Sequence, residues 1–300
     1  MGFLTRASFV TSNSVSQQVT SNMTFQQLPR ELLYAIVSHL GADEDYPSLR
    51  ACASTCRALV LPAQTHIFRT ITLCYEDPTV LTVLSKLESM PHIRTFIKHL
   101  RLFETNRPWI QHSELLHRAL AFLSPYIISL HIHQRRHKPG NPRFRLSSLS
   151  QLKYVEEISL CEEVVAVLAG LMYGDDALPI FLNQFLSLRA ITFDWCLVRN
   201  QIIDNNDIAP PVFRLERLDV GSCRDTLVLD WLVPALSSLQ TLHLSYPALC
   251  PSFFSTIVPR FMTTAGESLQ HLELRGLNDA SNAGQLFPSI CSRITHPVIG

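Results

Sequence analysis

Three stretches of this sequence hold residue types at spacings that suggest chemistry. Tyr173-Gly174-Asp175-Asp176 places two carboxylates together, as magnesium-dependent nucleotide polymerisation requires. On context the simpler reading is structural: Gly174 ends a helix and the aspartates start the next turn. His131 and His133 share one strand face and as neutral imidazoles can hold a metal ion, but the sequence shows no third ligand, so surface histidines are the plainer account. The segment from His131 to Arg145, HIHQRRHKPGNPRFR, carries five Arg or Lys and three His with no acid. Such a cluster either receives an acidic or phosphorylated segment or is a solvated loop. Pro139, Gly140 and Pro142 favour a loop there, as do the prolines of Asn205–Pro211 and Pro247–Pro251. GxSxG, Walker, GxGxxG and HExxH patterns do not occur. The expectation is a protein without catalytic residues, bound cofactor or metal.

Composition narrows the classes. Lys plus Arg equals Asp plus Glu, 25 against 25, so no net charge steers the molecule to nucleic acid or an acidic membrane. A hydrophobic fraction of 47% supports a sizeable core. Cysteines 52, 56, 74, 161, 196, 223, 250 and 291 form no CxxC pair, which suggests reduced thiols in cytosol or nucleus. Residues 1–24 are rich in Ser, Thr, Gln and Asn and read as a disordered tail without the apolar core of a signal peptide. The longest apolar run, Val164 to Tyr173, is about half a membrane span.

The elements that must position any site come from repetition. An apolar-x-apolar signal recurs at Ile71/Leu73, Leu100/Leu102, Leu130/Ile132, Ile158/Leu160, Ile191/Phe193, Leu218/Val220, Leu242/Leu244 and Leu272/Leu274. The steps between signals are 29, 30, 28, 33, 27, 24 and 30 residues. Leu188, Leu215, Leu239 and Leu269 stand three residues upstream of their strands, giving the L-x-x-L-x-L core of a leucine-rich repeat. Helical segments fit between the strands at Val80–Met90, Ser113–Ser124, Glu162–Tyr173, Pro179–Ser187, Leu227–Ser238 and Ser252–Thr264. Such alternation predicts a right-handed α/β solenoid over 71–300, with an ordinary doubly wound domain as the alternative. Ser281 to Gly300 shows no clear capping repeat.

Side chains alternate faces along a strand, so the residues between the leucines share the uncovered face. Besides His99, Glu157 and His271, the charged and imidazole members of that face are Arg101, His131, His133, Asp194, Arg217, Asp219, His243, Glu273 and Arg275. They are the candidate surface for a target protein, or else simply a solvated sheet.

The stretch from Phe25 to Leu73 is different. Pro29 suits the first position of a helix that Gly41 ends. Glu31 favours the helix start, and Leu32, Leu33, Ile36, Val37 and Leu40 form one broad apolar stripe. Leu28 falls at the capping position, where leucine cannot cap; it either staples onto its own core or lies against another protein. A second helix starts at Pro47, with Leu49, Cys52, Cys56 and Leu59 on one face, and a third turn begins at Pro62 with His66 a structural residue. Three short helices have little core of their own.

Leu28-Pro29-x-Glu31-Leu32-Leu33-x-x-Ile36, Ser48-Leu49, Cys56-Arg57 and the tail from Pro62-Ala63-Gln64 to Phe68-Arg69-Thr70-Ile71 together resemble an F-box, in particular that of fungal proteins with a leucine-rich region behind it. The resemblance covers about a sixth of the chain and divides it into an N-terminal tail (1–24), a three-helix F-box (25–70) and a repeat region (71–300). It differs from many F-boxes in having Ala58 and Leu59, not an aromatic residue, after Arg57. F-boxes dock the Skp-type adaptor of cullin–RING ubiquitin ligases. The resemblance implies adaptor contacts at Leu28, Pro29, Leu32, Leu33, Ile36, Cys56 and Arg57, and a substrate-recognition subunit that is not itself an enzyme. The alternative is a protein-binding scaffold that recruits no ligase.

Overall fold

The structure, a computed structural model, describes residues 28–74, 77, 79–104, 113–134, 146–162, 178–194, 209–221, 226–245, 251–275 and 298–299. The tail, the helix expected over Glu162–Tyr173, Tyr173–Asp176, the basic run from Arg135 to Arg145 and most of the Asn205 and Pro247 loops lie outside these residues. The chain divides into two compact units, Met1–Ala63 and Gln64–Gly300.

The described part of the first unit is helical. Helices α1 (Arg30–Ala42), α2 (Tyr46–Thr55) and α3 (Arg57–Ile67) follow one another, with α3 running on past the unit boundary. The helix start differs by one residue from expectation. Pro29 is the cap rather than the first helical residue, with φ −51° and ψ 142°. Its carbonyl accepts from the Leu32 and Leu33 N–H groups at 3.1 and 3.2 Å, a role that needs no proline N–H. Leu28 is thereby the residue before the cap, the staple position. At the other end Gly41 remains helical, and Glu44 takes the left-handed turn with φ 53°.

The second helix opens where Asp45 accepts from the Ser48 N–H at 3.2 Å. It closes before Cys56. The Ser54 and Thr55 hydroxyls bond the Ala51 and Cys52 carbonyls, and Cys56 is extended. The face expected to join Leu49, Cys52, Cys56 and Leu59 is therefore split between two helices. Pro62, expected to open a turn, lies buried inside α3.

The second unit is mixed α/β. Strands β1 (Thr70–Cys74), β2 (His99–Glu104), β3 (Ser129–Gln134), β4 (Glu157–Glu162), β5 (Ala190–Asp194), β6 (Arg217–Val220), β7 (Thr241–Ser245) and β8 (His271–Arg275) form one parallel sheet in sequence order. A short β9 (Val298–Ile299) pairs with β8. The eight sequence signals fall on these eight strands.

Register makes the sheet. Ile71, Leu100, Leu130, Ile158, Ile191, Leu218, Leu242 and Leu272 stand side by side. Two residues on, Leu73, Leu102, Ile132, Leu160, Phe193, Val220, Leu244 and Leu274 form a second row. Both rows are buried in one cluster with the inward side chains of the helices. The strand entries repeat as well. The Arg69 carbonyl accepts from the Lys98 and His99 N–H groups, and the Lys98 carbonyl from Ile128 and Ser129. The carbonyls of Ile128, Glu156, Arg189, Glu216 and Gln240 take pairs of N–H groups in the same way down to His271. A parallel strand that enters on the same two bonds each time keeps its side chains on the same face.

The helices are α4 (Val80–Ser89), α5 (Pro91–Arg94), α6 (Glu114–Leu123), α7 (Leu178–Leu182), α8 (Thr226–Leu232) and α9 (Pro251–Ala265), with 3-10 turns at Leu146–Gln151, Val233–Ser238 and Gly266–Ser268. Ser113 caps α6 by accepting from the Leu116 N–H. Arg94 bonds the Leu87 and Glu88 carbonyls at the end of α4 and stacks over Phe122, 4.2 Å from its ring centre. Two helices are shorter than expected. α7 stops at Leu182, beyond which Asn183 instead holds the Pro210 carbonyl and the Val212 N–H. α8 gives way to a 3-10 turn around Pro234, which has no N–H for the α-helical ladder. No helix among the described residues is long and apolar enough to cross a membrane.

The two rows set the first prediction. Leu160 is fully buried on β4, whereas Thr192 of the neighbouring strand lies on the other face. In urea unfolding, Leu160→Ala should cost about 2–5 kcal/mol, and Thr192→Ala less than about 1 kcal/mol.

Candidate functional site

The face of the sheet opposite the leucines carries the candidate residues. Its central line reads Thr72, Arg101, His131, Ser159, Thr192, Asp219, His243, Glu273 from β1 to β8. His133 and Asp194 stand two residues after it, Arg217 two before, and Arg275 two after at the far end. All nine predicted target-facing residues thus share one face, held by strands rather than loops.

They do not form one cluster. At the β1–β3 end, Arg69 donates from Nε to His99 Nε2 at 3.1 Å, and the buried Ser129 hydroxyl lies 3.1 Å from His131 Nε2. Burial, then the Arg69 charge, pushes the His99 pKa down; burial, then Arg101, does the same for His131. The His133 ring lies 5.0 Å from that of its lateral neighbour Phe103. In the middle, Arg217 of β6 reaches Glu157 of β4 at 3.0 Å across the intervening Ala190. The small alanine leaves room for that bridge and is buried beneath it. Asp194 is exposed at the end of β5. Beside it Gly221 brings its N–H to 2.7 Å from the Phe193 carbonyl, an approach that a Cβ, 3.0 Å from the same oxygen, would obstruct.

At the β6–β8 end a second group converges. His243 Nδ1 is 3.4 Å from Asp219 Oδ2, and its Nε2 is 3.5 Å from Glu273 Oε2. The His271 ring lies edge-on to His243 with centres 5.6 Å apart. Arg275 clasps Glu273 through Nε at 2.8 Å and Nη2 at 3.0 Å, and this bond holds the carboxyl below the usual carboxylate range. His243, His271 and Glu273 offer ligand atoms that all lie within 4.8 Å of one another. Sequence reading placed His271 on this face without singling it out. The available signal was its position two residues before Glu273, whose lateral partner is His243. His131 and His133, considered from sequence as a metal pair, instead turn to Ser129 and Phe103.

The other candidate set lies on the first unit. The broad stripe of α1 splits into two rows. Leu33 and Val37 are buried, at 4% and 0% exposure. Leu32 and Ile36 point outward, 51% and 41% exposed, and Leu28 one turn earlier is half-buried. Pro29 and Arg57 are exposed, the latter as the first residue of α3, while Cys56 is half-buried between helices. Cys52, Cys56, Cys74 and Cys161, among the described residues, stand outside any disulfide.

The lowered histidines predict a pH dependence. Where a folded-state pKa is depressed, the unfolded chain binds more protons between the two values, so stability rises with pH there. Stability owed to neutral His99 and His131, and to His66, whose pKa burial also lowers, is present above the ordinary histidine value and lost as pH falls below it. The charges facing the pair are Arg69, Arg101 and Glu157. The urea midpoint should fall between about pH 7.5 and 5.5, above the range where carboxylates titrate. A His99→Asn/His131→Asn variant should show a flatter profile over that interval.

No family model matches this chain, and no curated protein matches it.

Proposed function

We propose that this protein is the substrate-recognition subunit of a Skp–cullin–F-box ubiquitin ligase. The first unit would be the F-box and the repeating β–helix units a leucine-rich-repeat-like, right-handed solenoid. The observation that carries the reading is the outward row of α1. Leu32 and Ile36 are large aliphatic side chains one turn apart, exposed on a helix whose buried needs are met by Leu33 and Val37. With Leu28 and Pro29 they supply an apolar ridge suited to a groove on an adaptor, and Arg57 is a further exposed, basic residue of the same unit. Leu33 supports the ridge from inside. The open sheet face would hold a target protein by its pattern of charges and imidazoles, and the ligase would gain proximity and orientation rather than a catalytic group.

Leu32→Asp/Ile36→Asp should leave the helical circular dichroism unchanged and weaken capture of the Skp-type adaptor. Each buried aliphatic side chain is worth about 1.5–3 kcal/mol, so the pair should lose about 100-fold or more in affinity. Leu28→Ala/Pro29→Ala should reduce capture in the same direction. Undiminished adaptor binding by both variants would overturn the docking assignment. Adaptor binding without co-purifying cullin would favour a scaffold that recruits no ligase.

A further inference from the structure

We propose that His243, His271 and Glu273 form a binding site for a divalent transition-metal ion, with zinc as the best-suited ion. The site lies on adjacent strands β7 and β8 and stands on its own geometry, whatever the chain binds elsewhere. Its donor atoms, two imidazole nitrogens and one carboxylate oxygen, lie within 4.8 Å of one another. Zinc holds such ligands at about 2.0–2.2 Å from itself, which places them about 3.3 Å apart. Rotation of the side chains would close the difference.

Three features separate this group from an ordinary surface cluster. The first is the donor set. Two histidines and one glutamate on a fixed frame make a three-ligand zinc site, leaving a fourth position for water or for a side chain of a bound partner. The second is Asp219. It sits against His243 Nδ1 at 3.4 Å, leaving Nε2 directed at Glu273, 3.5 Å away. A carboxylate accepting from one ring nitrogen while the other faces a metal is how ligating histidines are held in orientation and made more basic. The third is His271. Among the described residues its ring contacts His243 and has no hydrogen-bond partner, so a nitrogen is available for coordination.

Arg275 is the opposing element. Its guanidinium engages both oxygens of Glu273, at 2.8 and 3.0 Å, and a metal must share that carboxylate with it or displace it. The Arg275 side chain is half exposed, 51%, so it has solvent to swing into. Arginine therefore competes with the ion, and its removal should strengthen binding. A merely structural role for the cluster predicts the opposite: losing Arg275 would expose an unpaired Glu273 and gain nothing.

The test titrates zinc chloride into the full chain, stripped with chelator, and follows heat and bound metal by mass spectrometry. Wild type should bind one more equivalent than His271→Ala/Glu273→Gln. Asp219→Asn should weaken that equivalent 10–100-fold, and Arg275→Met should tighten it. Cobalt chloride gives an independent reading. The extra equivalent should show the visible bands of a nitrogen–oxygen site without the near-ultraviolet absorption of a cobalt–thiolate bond, which separates it from binding at the cysteines. Circular dichroism of each variant establishes that it is folded. Equal stoichiometry and affinity in wild type and in His271→Ala/Glu273→Gln would overturn the proposal, as would thiolate absorption from the extra equivalent.

Discussion

The lateral register of the sheet is the constraint on which the rest of the second unit depends. Two rows of aliphatic and aromatic residues run unbroken from β1 to β8, and the helices bury against them. Side chains alternate with a period of two, so fixing these rows also fixes what faces the other way. A slip of one residue in any strand would put its leucines outward. It would also drive Arg101, His131, Asp219 or Glu273 into an apolar core, at a cost of several kcal/mol for each unpaired charge. The charged face is thus specified by the apolar one. No interaction among the charges is needed to assemble it.

The same logic explains what could be read from the sequence. Strands were legible because each has two apolar positions separated by one, with Leu188, Leu215, Leu239 and Leu269 marking four entries three residues upstream. Alternation then assigned the nine candidate residues to one face. Which of them touch was not legible. Lateral neighbours such as Asp219, His243 and Glu273 are 24 and 30 residues apart, and the register that aligns them depends on the loops between. Arg217 reaching Glu157 depended further on the residue between them being Ala190. Helix ends were read less well for a local reason. Whether a helix stops is decided by small competitions: the Ser54 and Thr55 hydroxyls against the backbone at Cys56, Asn183 against continuation of α7, Pro234 against the α-helical ladder. Propensity alone does not rank these.

Helix α1 shows a related limit. Leu32, Leu33, Ile36, Val37 and Leu40 cover a wide arc, and sequence reveals only its width. Packing against α2 uses part of it, so Leu33 and Val37 are buried and Leu32 and Ile36 are left outside. An arc wider than its own fold can cover is the pattern expected of a helix that serves two surfaces. That is why this row, rather than any charged group, supports the proposed adaptor contact.

The open sheet face has a different character from that ridge. Its charges are largely answered within the face: Arg217 by Glu157, Glu273 by Arg275, and His243 flanked by Asp219 and Glu273. The chain as a whole balances 25 basic against 25 acidic residues. Long-range attraction of a charged partner is therefore weak, and encounter with this surface is not steered by its field. Discrimination of the proposed target would act at contact, where it must break or complete pairs already formed. A target of the wrong pattern would leave Glu157 or Glu273 stripped of its arginine, whereas the right one would replace each lost bond. As the proposed target surface, the face would recognise an arrangement of groups rather than a net charge.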